Sequence, residues 1–329
     1  MGSPSTTKTK VHELALSELV SDVKRFAENS ISKTTKHEYK KRIDEFRRWS
    51  EKKKLSLNFP ITPEVAALYL TDRSKTLKAS SIRVIASALE FANKLAGGHS
   101  ITSNNHVKLV LAGIFREKGL RQEQKKPLLT YHIRELAEEL ERCKSHEVEK
   151  TKASRDKALL LLGFAGAFRR SELCALDLSD FAWSQEGLVI DIRKSKTDQL
   201  SRGRKIGICV GKNPLTCPVK ALNEWLRISG ISSGPIFRPL TKNSGVRNRR
   251  LSPRSVALIL KSRFREIGKC PKDFAGHSLR SGCVTAAIQG GADPLDVQKH
   301  TGHSNFDMLR RYIREATVFK RNPTDKLGL

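Results

Sequence analysis

The sequence predicts a mainly α-helical protein of two domains, with a small antiparallel β-sheet in the carboxy-terminal domain. Three observations support this fold class. Apolar residues recur every three or four positions over most of the chain, as they do on one face of a helix. Two short segments, 187–193 and about 204–210, instead alternate apolar and polar residues, which is the pattern of a strand. A length of 329 residues also suffices for two hydrophobic cores.

The charge of the chain predicts a polyanionic partner. The formal net charge is +28 at pH 7, and double-stranded DNA is the leading candidate because Lys and Arg side chains that neutralise phosphates release condensed counterions. A membrane surface and disordered basic tails are the alternatives. The sequence disfavours a membrane, since it has no long apolar run, signal peptide or lipidation motif. We therefore expect an intracellular, DNA-associated protein, in the bacterial cytoplasm and nucleoid or in a nucleus.

Neither a metal nor a cofactor is expected. The six cysteines form no CxxC motif, so a zinc site and a redox motif are both disfavoured, and the thiols are interpreted as reduced. His300 and His303 form an HxxH pattern without a carboxylate at credible ligand spacing. A metal-dependent nuclease is therefore a weak alternative.

The amino-terminal domain is predicted to be a bundle of five helices over residues 12–118, after a leader at 1–11. The helical patterns lie at about 12–29, from Thr34 or Thr35 onward, and at about 63–73, 79–95 and 104–117. In the first helix the apolar residues fall largely on one face: Leu14, Leu16, Leu19, Val20, Val23 and Phe26. Thr62 is a good N-cap and Pro63 suits a first turn. Five basic residues could grip the DNA backbone, with ordinary solvated faces as the alternative: Lys40, Lys41, Arg47, Lys78 and Arg83.

A polar and basic linker over 119–127 leads into a second domain, predicted over 128–315. A strongly apolar segment at 154–166 should be a buried helix, and Arg169, Arg170 and Glu172 follow it directly. Placing arginines there costs desolvation unless an anion meets them. A surface helix end, with arginines near its last carbonyl groups, is the alternative.

Two basic loops are predicted in the rest of this domain. The connection between the two predicted strands is polar and of a length that suits a mobile hairpin, and it carries Lys194, Lys196 and Arg202. Helices are predicted at 217–229 and 253–267. The loop between these two helices is expected to contact phosphates through Arg247, Arg249 and Arg250.

The segment from His277 to Tyr312 carries the most chemistry. His277 and Arg280 stand at i and i+3 and share one helix face, and Gly302 is placed to end a later helix just before His303. Tyr312 follows His303 by nine residues. Such a set can bind a phosphate and attack it, because Arg offers a donor fork, His moves a proton and Tyr carries a nucleophilic oxygen. A solvated helix face for the HxxR pair, and packing of Tyr312 beside Leu309 and Met308, are the alternatives.

These motifs resemble the carboxy-terminal signature of the tyrosine recombinase (phage-integrase-like) family. The match comprises HSLR at 277–280, GHS at 302–304 and Tyr312, in the family's order and spacing. The resemblance implies a two-domain, C-shaped clamp around DNA, made of a helical core-binding domain and a catalytic domain. It also implies that Arg169 is catalytic and that Glu172 orients it. One departure is that Gly166 lies three residues before Arg169, where the family's TGxR motif has two.

The resemblance further implies a role for each residue. Tyr312 would attack DNA to give a 3′-phosphotyrosine, with His277 as base, His303 as a hydrogen-bond donor, and Arg169 and Arg280 as the phosphate clamp. The family's hairpin lysine, a general acid, corresponds to Lys196, with Lys194 as its rival; both could instead merely touch phosphates. No cofactor is implied.

At the level of the whole protein, the resemblance implies a site-specific recombinase, integrase-like or transposase-like, that assembles as a tetramer on DNA. The tail at 316–329, with the apolar pair Val318 and Phe319, would dock on a neighbouring protomer or pack in cis. DNA relaxation of the type IB topoisomerase kind, and DNA binding without catalysis, are the alternative functions.

Overall fold

The fold is that of a mostly helical chain with one three-stranded antiparallel sheet, and it confirms the predicted fold class. The computed structural model describes residues 18–23, 25–55, 58–119, 125–193, 203–316, 324 and 327. The chain divides into two compact units, Met1–Glu123 and Gln124–Leu329. The predicted leader, most of the linker and nearly all of the tail lie outside the described residues. None of the described helices is both long and apolar enough to cross a membrane.

The amino-terminal unit is helical. Residues 18–23 and 25–29 are helical, and four further helices follow: α1 (Lys33–Lys52), α2 (Pro63–Ser74), α3 (Ala79–Leu95) and α4 (Asn105–Lys118). Local capping sets where they begin, since the side chains of Ser32 and Thr62 each accept a hydrogen bond from a backbone N–H of the first turn. Because Ser32 is the cap, α1 begins at Lys33 and not at Thr34 or Thr35 as predicted.

The core of this unit is built from α1 to α4. Phe46, Tyr69, Ile82 and Leu89 are among its fully buried side chains. The apolar face expected in the first helix does not join this core. The four of its residues that the structure describes are 63–68% exposed: Leu19, Val20, Val23 and Phe26.

The carboxy-terminal unit contains eight described helices and the sheet. The helices are α5 (Thr130–Cys143), α6 (Glu147–Ala165), α7 (Arg170–Ala175), α8 (Pro218–Ser229), α9 (Pro253–Glu266), α10 (Ser278–Gln289), α11 (Pro294–Thr301) and α12 (Phe306–Ala316). The strands are β1 (Phe181–Trp183), β2 (Gly187–Ile192) and β3 (Arg204–Cys209), in the order β1-β2-β3. Both predicted strands are present, although β3 ends one residue before Val210, and β1 was not predicted.

Helix α6 is the centre of this unit, as the apolar run at 154–166 predicts. Its buried stretch includes three charged residues, Arg155, Asp156 and Lys157. The Asp156 carboxylate accepts hydrogen bonds from Arg155 at 2.7 Å and from Arg263 of α9 at 2.9 Å. Since each of these buried charges has a partner, the helix tolerates them. Because α6 is anchored in this way, its carboxy-terminal end and the following Arg169 are held in a fixed position.

Candidate active site

The connection between α6 and α7 presents Arg169 against Glu172. Arg169 is the N-cap residue of α7, and its backbone N–H and its Nη1 both donate to the Glu172 carboxylate, at 2.9 and 2.6 Å. Glu172 is buried, so it holds the guanidinium in one direction. The turn before them places a left-handed conformation at Ala167 (φ 48°).

Arg280 comes to the same place from α10. Its side chain is buried, and Nη1 donates to the carbonyl oxygen of Ala167 at 2.8 Å. Burial, followed by the charge of Arg169, lowers its pKa to about 10, which leaves it a cation at neutral pH. Among the described residues, none accepts a hydrogen bond from its buried Nη2. A buried cationic N–H without an acceptor is unfavourable, so the site is suited to an incoming anion.

His277 and Tyr312 meet across 35 residues of sequence. His277 is the N-cap residue of α10, just before its first turn, and its Nε2 lies 3.3 Å from the Tyr312 hydroxyl oxygen. His277 is an exposed residue, but desolvation by the protein packed around its imidazole, and then the charges of Arg280 and Arg169, lower its pKa. His277 is therefore neutral at pH 7, and its Nε2 can accept the phenolic proton.

His303 lies immediately after α11. Gly302 ends the helix in the left-handed conformation (φ 67°), as the sequence predicts. The His303 ring is buried, its Nδ1 lies 2.7 Å from the Thr301 hydroxyl oxygen, and its centroid is 6.4 Å from that of the Tyr312 ring. Burial, and then the charges of Arg280 and Arg169, lower the pKa of His303 to about 3. Its imidazole is thus neutral in the free protein.

Sequence reasoning missed Arg204, the first residue of β3. Its Nη1 donates to the carbonyl oxygen of His300 at 2.5 Å, and its Nη2 lies 3.9 Å from the Glu172 carboxylate. A side chain on Gly302 would collide with it, because a Cβ there would lie 2.6 Å from Arg204 Nε. A signal was available in the strand pattern, since Arg204 is in phase with the inward-facing Ile206 and Ile208.

The remaining predicted site residues are distributed as follows. Lys194, Lys196 and Arg202 lie outside the described residues. Arg250 donates to Cys174 O at 2.8 Å and to Asp177 at 2.6 Å, so its guanidinium ties its loop to the end of α7. The other seven predicted DNA contacts are exposed side chains: Lys40, Lys41, Arg47, Lys78, Arg83, Arg247 and Arg249.

Two further observations concern metals and the HxxH pattern. Within the described ranges, no group of three or more His, Cys, Asp or Glu side chains could hold a metal ion. His300 Nε2 instead lies 2.8 Å from the carbonyl oxygen of Ala165, where it links α11 to the end of α6.

Comparison with known proteins gives concordant matches over both units. The phage integrase family model matches residues 128–317, and the phage integrase N-terminal SAM-like domain matches residues 24–91. The integrase/recombinase xerD homolog of Selenomonas ruminantium is 38% identical over 273 residues, which are 82% of this chain and 78% of that protein. Tyrosine recombinase XerA of Pyrococcus horikoshii is 26% identical over 244 residues, 74% of this chain and 80% of that protein.

Solved structures share the fold. The Tn1549 transposon integrase in complex with transposon right end DNA matches with a TM-score of 0.60 and 17% identity, over 86% of this chain and 89% of that one. A lambda integrase dimer bound to a COC′ core site matches with a TM-score of 0.58 and 18% identity, over 95% of this chain and 81% of that one.

Proposed function

Because the chain belongs to the phage integrase family and is a site-specific tyrosine recombinase, we propose that it cuts and rejoins double-stranded DNA through a 3′-phosphotyrosine at Tyr312. One observation carries this proposal. The Tyr312 hydroxyl lies 3.3 Å from His277 Nε2, beside the buried Arg280, whose Nη2 has no acceptor within the part of the chain that the structure describes. A nucleophile, a base and an anion-binding group thus stand together within the segment that the family model matches.

In the first step the Tyr312 oxygen attacks the scissile phosphorus. The phenolic proton passes to His277 Nε2, a phosphorus–oxygen bond forms to Tyr312, and the bond to the 5′ oxygen breaks. The leaving 5′ oxygen receives a proton and departs as a hydroxyl. We assign the acid to Lys196, with Lys194 as the alternative. In the reverse direction, a 5′-hydroxyl of another strand attacks the phosphotyrosine, which converts cleavage into strand exchange.

The arginines and His303 stabilise the charge that develops on the phosphate. Arg169, held by Glu172, and Arg280 bind the non-bridging oxygens, and His303 donates a further hydrogen bond. The two arginines are held in position before DNA arrives, Arg169 by Glu172 and Arg280 by the Ala167 carbonyl oxygen. The barrier is therefore lowered without reorganisation of the site at the moment of reaction.

We also propose the partners. The net charge of +28 favours double-stranded DNA, and both solved neighbours quoted above are described as DNA complexes. The amino-terminal unit would be the core-binding half of the clamp, with its five predicted basic contacts on the DNA backbone. Four protomers would assemble on DNA, with the tail at 316–329 contacting a neighbour. The protein would be DNA-associated in the cell.

The two alternative functions lack support. The relatives and structures named above are recombinases and integrases, and none of them favours a topoisomerase. DNA binding without catalysis is disfavoured, since the sequence retains all six catalytic positions of the family pattern.

Trapping the covalent intermediate tests the proposal. The protein would first select a binding site from a randomised duplex library, and a nicked version of that duplex would then trap the adduct, read on a denaturing gel. Tyr312→Phe is expected to form no adduct, whereas Tyr131→Phe, an exposed tyrosine of the same unit, serves as the matched control. Adduct formation should persist in chelator. A Tyr312→Phe protein that still forms the adduct would exclude Tyr312 as the nucleophile.

A further inference from the structure

The hydroxyl of Thr301 stands between a helix carbonyl and a ring of the active site. Thr301 is the last residue of α11 and is fully buried. Its Oγ1 lies 2.7 Å from the Val297 carbonyl oxygen, one turn back, and 2.7 Å from His303 Nδ1. Within the described residues, this is the one hydrogen bond recorded for the His303 ring. A non-polar residue would complete the helix equally well, so the hydroxyl calls for an explanation.

A hydroxyl has one hydrogen, and here three acceptors compete for it: the carbonyl oxygens of Val297 at 2.7 Å and Gln298 at 3.3 Å, and His303 Nδ1. If Thr301 donates to either carbonyl, its oxygen must accept from His303, and the ring hydrogen then sits on Nδ1. If Thr301 donates to Nδ1, the ring hydrogen sits on Nε2. Because a neutral imidazole carries a single N–H, the direction of this one bond decides which nitrogen of His303 can donate.

The surroundings of His303 keep it neutral, so its tautomer decides what it can do. The groups that face it are Arg169, Arg204, His277, Arg280 and Tyr312. Burial, together with the three guanidinium groups and the second imidazole, disfavours a charged ring. Phosphate oxygens only accept hydrogen bonds. A neutral His303 can therefore serve a phosphate in one tautomer, the one with hydrogen on Nε2.

We propose that Thr301 is a positioning residue for His303, whose hydroxyl donates to Nδ1, keeps the imidazole hydrogen on Nε2 and directs that N–H to the scissile phosphate. This inference rests on the proposed function, because it takes a DNA phosphate as the acceptor. When the site is empty, the hydroxyl can turn to Val297. An arriving phosphate favours the Nε2–H tautomer and draws the hydroxyl to Nδ1.

The backbone around His303 is held without the Thr301 hydroxyl. The side chain of Gln298 donates to the His303 carbonyl oxygen at 3.0 Å, and the Gly302 N–H donates to the Gln298 carbonyl oxygen at 2.8 Å. Arg204 holds the carbonyl of His300 from the other side. Thr301→Val keeps the shape of the side chain and removes the hydroxyl. It should therefore leave the His303 ring in place and change which of its nitrogens carries the hydrogen.

The kinetic test uses the full-length protein and single-turnover cleavage of the nicked duplex. Thr301→Val is expected to cleave about 10- to 100-fold more slowly, the effect of leaving a buried ring nitrogen without its partner. Thr301→Ser, which restores the hydroxyl, should stay within about threefold of the unmodified protein. The double variant Thr301→Val/His303→Ala should be no slower than His303→Ala, since Thr301 acts through His303.

The spectroscopic test observes the tautomer directly. Histidine labelled with ¹⁵N would be followed by long-range proton–nitrogen correlation, in the free protein, with inorganic phosphate, and with the selected duplex; His303→Ala assigns the signals. The expected result is the Nε2–H tautomer of His303 with phosphate or DNA, lost or mixed in Thr301→Val.

Two outcomes would overturn the inference and leave the proposed function standing. One is an Nδ1–H tautomer in the DNA complex. The other is a Thr301→Val protein that cleaves at the unmodified rate while His303→Ala is slow. If His303→Ala itself cleaves at the full rate, the role proposed for His303 fails, and the inference fails with it.

Discussion

Replacing Glu172 with Gln should separate the chemistry of this site from its ability to bind DNA. The Glu172 carboxylate accepts from Arg169 at 2.9 Å through the backbone N–H and at 2.6 Å through Nη1, and Arg204 lies 3.9 Å away. Gln keeps the volume but has one accepting oxygen, and its amide N–H groups would face the guanidinium of Arg169. That guanidinium should lose its fixed direction.

The magnitude follows from the burial of Glu172. A hydrogen bond to a charged group contributes about 1.5–3 kcal/mol, and breaking a buried ion pair costs about 3–5 kcal/mol. Since Gln retains one accepting oxygen, the free energy of unfolding should fall by about 2–4 kcal/mol. A catalytic group displaced by about 1 Å costs about 100-fold in rate, so cleavage should slow by that order. DNA affinity should not fall, because the site gains one unit of positive charge.

Three measurements test this prediction. Urea unfolding reports the stability, single-turnover cleavage of the nicked duplex reports the rate, and a filter-binding titration at fixed salt reports the affinity. Glu186→Gln, an exposed carboxylate in the same unit, is the control and should match the unmodified protein in all three. The reasoning is refuted if Glu172→Gln cleaves as fast as the control, or if affinity and rate fall together.

Three more substitutions or conditions have expected outcomes. Arg204→Ala should slow cleavage by about 10-fold and lower the melting temperature, because the turn before His303 loses a guanidinium contact; Arg204→Lys should not restore the rate, since an ammonium lacks the fork that spans both contacts, and equal activity of the Lys variant would argue against this geometry. His303 has a folded pKa of about 3 against about 6.5 when unfolded, so the unfolded state binds the extra proton and stability should fall as pH drops from about 6.5 toward 3. His303→Asn should flatten that part of the curve of unfolding free energy against pH, and an unchanged slope would contradict the assignment. Asp156→Asn should cost about 3–5 kcal/mol in urea unfolding, because it removes the carboxylate shared by the buried Arg155 and Arg263 and leaves Arg263 with Glu266 alone; Asp296→Asn, at an exposed aspartate, should not reproduce this loss.

Much of the fold could be predicted because helix ends are local. Thr62 with Pro63, and Gly302 after α11, specify a start and a stop through atoms within one turn of each other. The alternation in β2 and β3 likewise identifies which side chains face inward. The sequence did not predict that the apolar face of residues 18–29 is exposed, since periodicity shows which residues share a face and not whether a neighbour covers it.

The sequence by itself determined the fold class, the family and the segments that carry the predicted catalytic residues, because residue spacing within short segments identifies each of them. These residues are Arg169, His277, Arg280, His303 and Tyr312. Tertiary structure alone decided that Arg204 reaches the carbonyl of a residue 96 positions away, that one Arg280 donor has no acceptor among the residues that the structure covers, and which atoms surround His303. Such facts depend on differences of a few tenths of an ångström in the distances between segments that come together only when the core packs. For the Thr301 hydroxyl, the sequence shows only that His303 lies two residues away. The acceptors that compete for its hydrogen, and the burial of the His303 ring, exist only in the folded unit.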